Sequence, residues 1–60
     1  MLKRDQQMIA AVKSWRQLEA ILEQAQCRFE ATLLSADEVA EIAEACIARS
    51  RAADVHGYAA

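Results

Sequence analysis

The stretch Met8–Leu34, MIAAVKSWRQLEAILEQAQCRFEATLL, decides the fold. Apolar or small residues recur in it at alternating steps of three and four, at Met8, Ala11, Trp15, Leu18, Leu22, Ala25, Phe29 and Thr32. This is the spacing of the a and d positions of a helix that packs against another helix, as in a coiled coil. The pattern predicts one long first helix over about residues 5–33.

A capping box, Ser35-Ala36-Asp37-Glu38, marks the start of a second helix. The Ser35 hydroxyl accepts a hydrogen bond from the Glu38 amide in this motif, while the Glu38 carboxylate accepts one from the Ser35 amide. We therefore expect a turn at about residues 34–35, a second helix over about 36–54 and a frayed tail over 55–60. A connection this short makes the two helices antiparallel.

Ser14 offers a competing start for the first helix, because Ser14 and Gln17 also have the spacing of a capping box. The apolar period runs straight through Ser14, and we therefore favour the continuous helix.

The composition fits a small all-α domain. The chain has 60 residues, with one glycine and no proline. Abundant Ala, Glu, Gln, Leu and Arg favours helix, and no alternating β-type run is present. A single domain of this length buries little surface when it folds alone, so a partner chain is one means of stabilising it.

The two predicted helices differ in length, and this difference predicts a contact surface. The first helix should extend roughly 12–15 Å beyond the second. The apolar residues Met8, Ile9, Val12 and Trp15 on this overhang would lack a partner within the chain, and such a patch usually marks an interface. We predict a homodimer of antiparallel hairpins that forms a four-helix bundle, with Leu18, Leu22 and Phe29 in the shared core.

The predicted function is that of a non-enzymatic protein-protein interaction module, such as an adaptor, a regulator or a chaperone-like protein. Cys27 and Cys46 lie in no CxxC motif, and His56 is the only histidine, so we expect no metal, no cofactor and no small-molecule substrate. No secretion signal or membrane-length apolar run is apparent, and unpaired cysteines suit a reducing compartment. We therefore expect a cytoplasmic protein without membrane contact.

Nucleic-acid binding is the alternative function. The segment Ala36-Asp37-Glu38-x-Ala40-x-Ile42-x-Glu44 resembles the opening of the second helix in Rop-type plasmid copy-control proteins, which are dimeric helical hairpins that bind RNA. The resemblance spans nine residues and implies a dimeric RNA-binding regulator. The RNA contacts of that family come from the first helix, where this sequence has no matching motif, so none is carried over.

Three basic residues are candidates for contact with nucleic acid. Lys13, Arg16 and Arg28 are the candidates, because they share the outer side of the predicted first helix. The net charge is −2, whereas phosphate recognition needs a clustered basic surface. A protein partner is therefore favoured over nucleic acid.

Overall fold

The computed structural model describes residues 1–57, which form three helices: α1 over Lys3–Ala10, α2 over Trp15–Glu30 and α3 over Ala36–Ser50. These residues contain no strand, and their one β-type contact is an isolated parallel bridge between Ser14 and His56. The all-α class is confirmed. The predicted continuous helix over about 5–33 is wrong, because the chain breaks between Ala10 and Trp15.

Polar groups from distant parts of the chain stabilise this break. Ser14 has an extended backbone, and its side chain accepts a hydrogen bond from the Gln17 amide at 3.4 Å. The Gln17 side chain accepts one in return from the Lys13 amide at 2.6 Å. The Trp15 amide donates to the His56 carbonyl, and the His56 amide donates to the Lys13 carbonyl, each at 2.9 Å. Backbone groups released by the break are thus paired again within the chain.

Helix α2 ends without a glycine. The Leu33 amide donates to the Arg28 carbonyl and the Thr32 amide donates to the Phe29 carbonyl, which is the bonding pattern of a Schellman motif. Thr32 occupies the left-handed position of this motif with a φ of 61°. Glycine is the usual residue at this position, because a β-branched side chain is strained there. With threonine in its place, the sequence carried no recognisable signal for the end of the helix.

Helix α3 begins where the capping box predicts. The Ser35 hydroxyl accepts from the Glu38 amide and the Glu38 carboxylate accepts from the Ser35 amide, each at 3.2 Å. The helix ends at Ser50 rather than near Asp54, and residues 51–57 turn back toward the start of α2. The tail predicted over 55–60 is therefore anchored at residues 55–57, where Val55 is buried. Residues 58–60 lie outside the described part of the chain.

The three helices alternate in direction. The Trp15 indole at the start of α2 donates to the Ser50 carbonyl at the end of α3, so these two helices are antiparallel. The Asp5 carboxylate in α1 pairs with Arg28 near the end of α2. Helix α1 thus folds back beside α2 and α3. The core between the helices consists of Ile9, Val12, Leu18, Ala25, Leu34, Ile42, Cys46 and Val55.

Candidate protein-binding surface

The residues of the predicted overhang are largely used within the chain. Ile9 and Val12 are only 4% and 3% exposed, because α1 packs against α3 and the returning segment. The premise that they lack an intrachain partner is therefore wrong, and neither is accessible to another protein in this fold. Met8 keeps a partly exposed side chain beside Ala11 and Gln17.

A different apolar surface lies along the junction of α2 and α3. Its members are large apolar side chains that remain exposed by 37–53%, and we call them the apolar strip: Trp15, Leu22 and Phe29 on α2 and Ile47 on α3. Trp15, Leu22 and Phe29 are each one heptad apart, so they share one face of α2. Ile47 lines the same groove as Trp15 and Leu22. The strip thus unites two helices in one surface.

The groove beneath this strip is shallow, with a volume of about 200 Å³. Leu18 and Cys46 are buried and form its floor, while Ser50 lies near the end where the Trp15 indole is bound. Burial raises the pKa of the Cys46 thiol, so this cysteine is a packing residue at neutral pH. Cys27 is exposed, and both cysteines are free.

Trp15 is held at one end of the strip by groups from the far end of the chain. Its indole Nε1 donates to the Ser50 carbonyl at 3.2 Å, and its amide donates to the His56 carbonyl. The indole ring also lies 3.8 Å from the position that a Cβ on Gly57 would occupy. A fixed, half-exposed tryptophan loses little side-chain entropy on binding and is a common interface anchor.

The clamp that fixes this end of the molecule is centred on Arg49. Its guanidinium donates to the Val12 carbonyl at 2.9 Å and to both carboxylate oxygens of Asp54 at 3.1 and 3.0 Å. Lys13 also pairs with Asp54 at 3.4 Å. The hydrogen bonds from Arg49 and then its charge hold the pKa of the Asp54 carboxyl below its ordinary value. No sequence motif indicated this clamp. Val12 lies 37 residues from Arg49 and Asp54 lies 5 residues from it, and the three meet only in the folded chain.

Acidic side chains border the strip on both helices. Helical periodicity places Glu19, Glu23 and Glu30 beside the strip on α2, and Asp37 and Glu44 beside it on α3. All are exposed. Among the residues that the structure describes, Glu19, Glu23, Asp37 and Glu44 form no hydrogen bond or ion pair through their carboxylates, whereas Asp5, Glu41 and Asp54 are paired with cations. The unpaired negative charge is thus concentrated around the strip.

The three candidate nucleic-acid residues do not form a common basic patch. Arg28 pairs with the buried Asp5 through two contacts of 3.3 Å, and Lys13 pairs with Asp54. Arg16 is exposed on α2 beside the acidic border of the strip. Two of the three cations are thus paired with carboxylates of the same chain.

Other site chemistry is limited in the described part of the chain. Residues 1–57 contain no group of three His, Cys, Asp or Glu side chains placed to hold a metal ion. None of their helices is both long enough and apolar enough to cross a membrane. Comparisons of the chain with protein-family models, curated proteins and solved structures found no match.

Proposed function

We propose that this chain is a non-enzymatic helical module that acts through protein-protein contact and associates with itself through the apolar strip. The observation that supports this proposal is the clustering of Trp15, Leu22, Phe29 and Ile47, which are large, half exposed and continuous across two helices. Contiguous exposed apolar surface of this kind marks interaction sites in proteins of ordinary solubility.

We still propose a dimer that forms a four-helix bundle, but its contact surface differs from the one predicted from the heptad pattern. In this form of the proposal, α2 and α3 of two copies supply the four helices, and α1 stays on the outside of each copy. Leu22 and Phe29 keep their proposed place in the shared core, whereas Leu18 is only 4% exposed and is already buried within one copy. Ile47 joins the contact surface, from which Ile9 and Val12 are removed. A second copy needs no further assumption about which partner is present, and covering the strip increases the small buried area of a 60-residue domain.

Sedimentation equilibrium of the purified chain at micromolar concentrations tests this proposal. We expect a dimer, and we expect Phe29→Asp to raise its dissociation constant tenfold or more, because two half-exposed phenyl rings are lost per dimer. Ile47→Asp should act in the same direction.

Leu33→Asp is the matched control. Leu33 is 73% exposed but lies beside Leu2 and Met8, outside the strip. This variant should leave the dissociation constant within twofold of the unmodified chain. Circular dichroism checks that all variants keep their helices. A monomeric unmodified chain, or equal effects of Phe29→Asp and Leu33→Asp, would contradict the proposal.

A further inference from the structure

We infer that two copies pack their apolar strips antiparallel, with Arg16 of each copy opposite Glu30 of the other and Arg51 opposite Asp37. This inference rests on the proposed self-association and adds its geometry. Exposed charges of opposite sign lie at opposite ends of the strip. Arg16 and Arg51 lie at the Trp15 end, and Glu30 and Asp37 lie at the Phe29 end.

The strip has a centre about which such a two-fold axis can be placed. On α2, Trp15 and Phe29 are equally spaced about Leu22, each roughly 10 Å away along the helix. An antiparallel partner therefore sets Leu22 against its own copy and Trp15 against Phe29. Arg16 and Glu30 are equally spaced about Glu23, one residue from this centre, so the same axis brings them together.

Helix α3 supports the same axis independently. Arg51 and Asp37 are equally spaced about Glu44. The contact between Trp15 and Ser50 sets the register of the two antiparallel helices, and this register places Leu22 level with Ala43, next to Glu44. One axis therefore passes through the middle of both helices and relates both charge pairs, which gives four complementary pairs in a dimer.

The charges at the two ends are available for these contacts. Arg16, Arg51 and Asp37 are exposed and form no side-chain hydrogen bond or ion pair within residues 1–57, and Glu30 accepts only one bond, from Gln26 at 3.4 Å. A two-fold axis parallel to the helices instead brings like ends together and sets Glu30 beside Asp37 of the second copy. Like charges at an interface are unfavourable, so complementarity selects the antiparallel arrangement.

The antiparallel arrangement also predicts where repulsion lies. Glu23 and Glu44 sit beside the axis, so each faces its own copy. Removing the charge of Glu23 should therefore strengthen the dimer, whereas removing the charge of Glu30 should weaken it. Both changes replace glutamate with glutamine on α2, and they alter net charge equally.

Sedimentation equilibrium of Glu30→Gln and Glu23→Gln is the deciding experiment. Each dimer contains two copies of the affected contact, and exposed ion pairs are individually weak. We expect Glu30→Gln to raise the dissociation constant about 2- to 30-fold, and Glu23→Gln to lower it by a similar factor. Tighter association of both variants would overturn the antiparallel arrangement in favour of the parallel one, and no change in either would overturn the charge pairing.

A charge exchange adds a second measurement. Arg16→Glu should weaken the dimer, and Arg16→Glu combined with Glu30→Arg should restore it. These changes put an acid at the start of α2 and a base at its end, which suits the helix dipole, so loss of helix does not explain a weaker dimer. Failure of the double variant to recover would overturn the pairing while Phe29→Asp still reports on the strip. A monomeric unmodified chain would instead overturn both the pairing and the proposed self-association.

Discussion

Arg49→Met removes the clamp that holds the returning segment over the break between α1 and α2. Methionine keeps an unbranched side chain that fills similar space but has no donor. The bond to the Val12 carbonyl is part-buried and charge-assisted, so its loss should cost about 1.5–3 kcal/mol. The contacts with the exposed Asp54 carboxylate add only a small, solvent-screened contribution.

One feature of Arg49 opposes this loss. Its Nε atom is buried without a hydrogen-bond partner in the described structure, and removing it recovers about 1 kcal/mol. The net destabilisation should therefore be about 1–3 kcal/mol, a large share of the roughly 3–5 kcal/mol that a domain of this size has available. The midpoint of thermal unfolding should fall by about 5–20 °C.

Urea unfolding followed by circular dichroism measures this change, at a protein concentration below the dimer dissociation constant. Arg4→Met is the control, because Arg4 is exposed and makes no side-chain hydrogen bond or ion pair among residues 1–57. Hydrogen exchange adds a local measurement: the amides of Trp15 and His56 should lose protection in Arg49→Met. Equal unfolding free energies for the two variants, within about 0.5 kcal/mol, would refute the role of the clamp.

Three further predictions concern single sites. Thr32→Gly should stabilise the chain by about 1 kcal/mol in urea unfolding, because glycine has no Cβ to strain at a φ of 61°, and Thr32→Ala should not give this gain. Cys27 should react with an aromatic disulfide reagent much faster than Cys46, which is buried and has a raised pKa; equal rates in the single Cys→Ser variants would contradict the fold. Asp54 has a lowered pKa in the folded chain, so its contribution is present above the ordinary aspartate pKa and is lost as pH falls below about 4. Asp54→Asn should therefore lose less stability than the unmodified chain between pH 5 and pH 2.5, and parallel pH profiles would contradict this.

Features governed by neighbouring residues were predictable from the sequence. The capping box at Ser35 and Glu38 formed as expected, because both partners lie within one helical turn and need no tertiary contact. The competing cap at Ser14 was also visible, but the apolar period favoured the wrong alternative. That period continues across the break through Met8, Ala11 and Trp15, although all three are exposed in the structure, so periodicity alone does not distinguish one helix from two.

The candidate surface was predictable only in part. Trp15, Leu22 and Phe29 follow from the heptad spacing, and the structure leaves them exposed as a group. Ile9 and Val12 were predicted to lie exposed on the overhang but become core, because α1 folds back onto α3. Ile47 lies on the other helix, and its position across a groove from Leu22 required the register of α2 and α3.

The sequence by itself determined the helical class and the start of α3, because helix propensity, apolar spacing and capping act over a few neighbouring residues. Only the tertiary structure decided that residues 1–57 form three helices. A continuous first helix would leave Ile9 and Val12 in water, and burying each is worth roughly 1.5–3 kcal/mol. Breaking the helix buries both, and Arg49, His56 and Gln17 pair the backbone groups that the break releases. Arg49 and His56 are distant in sequence from the break, whereas Gln17 is near it. Whether the burial of Ile9 and Val12 outweighs the helical hydrogen bonds lost at the break is therefore decided only when the whole chain is folded.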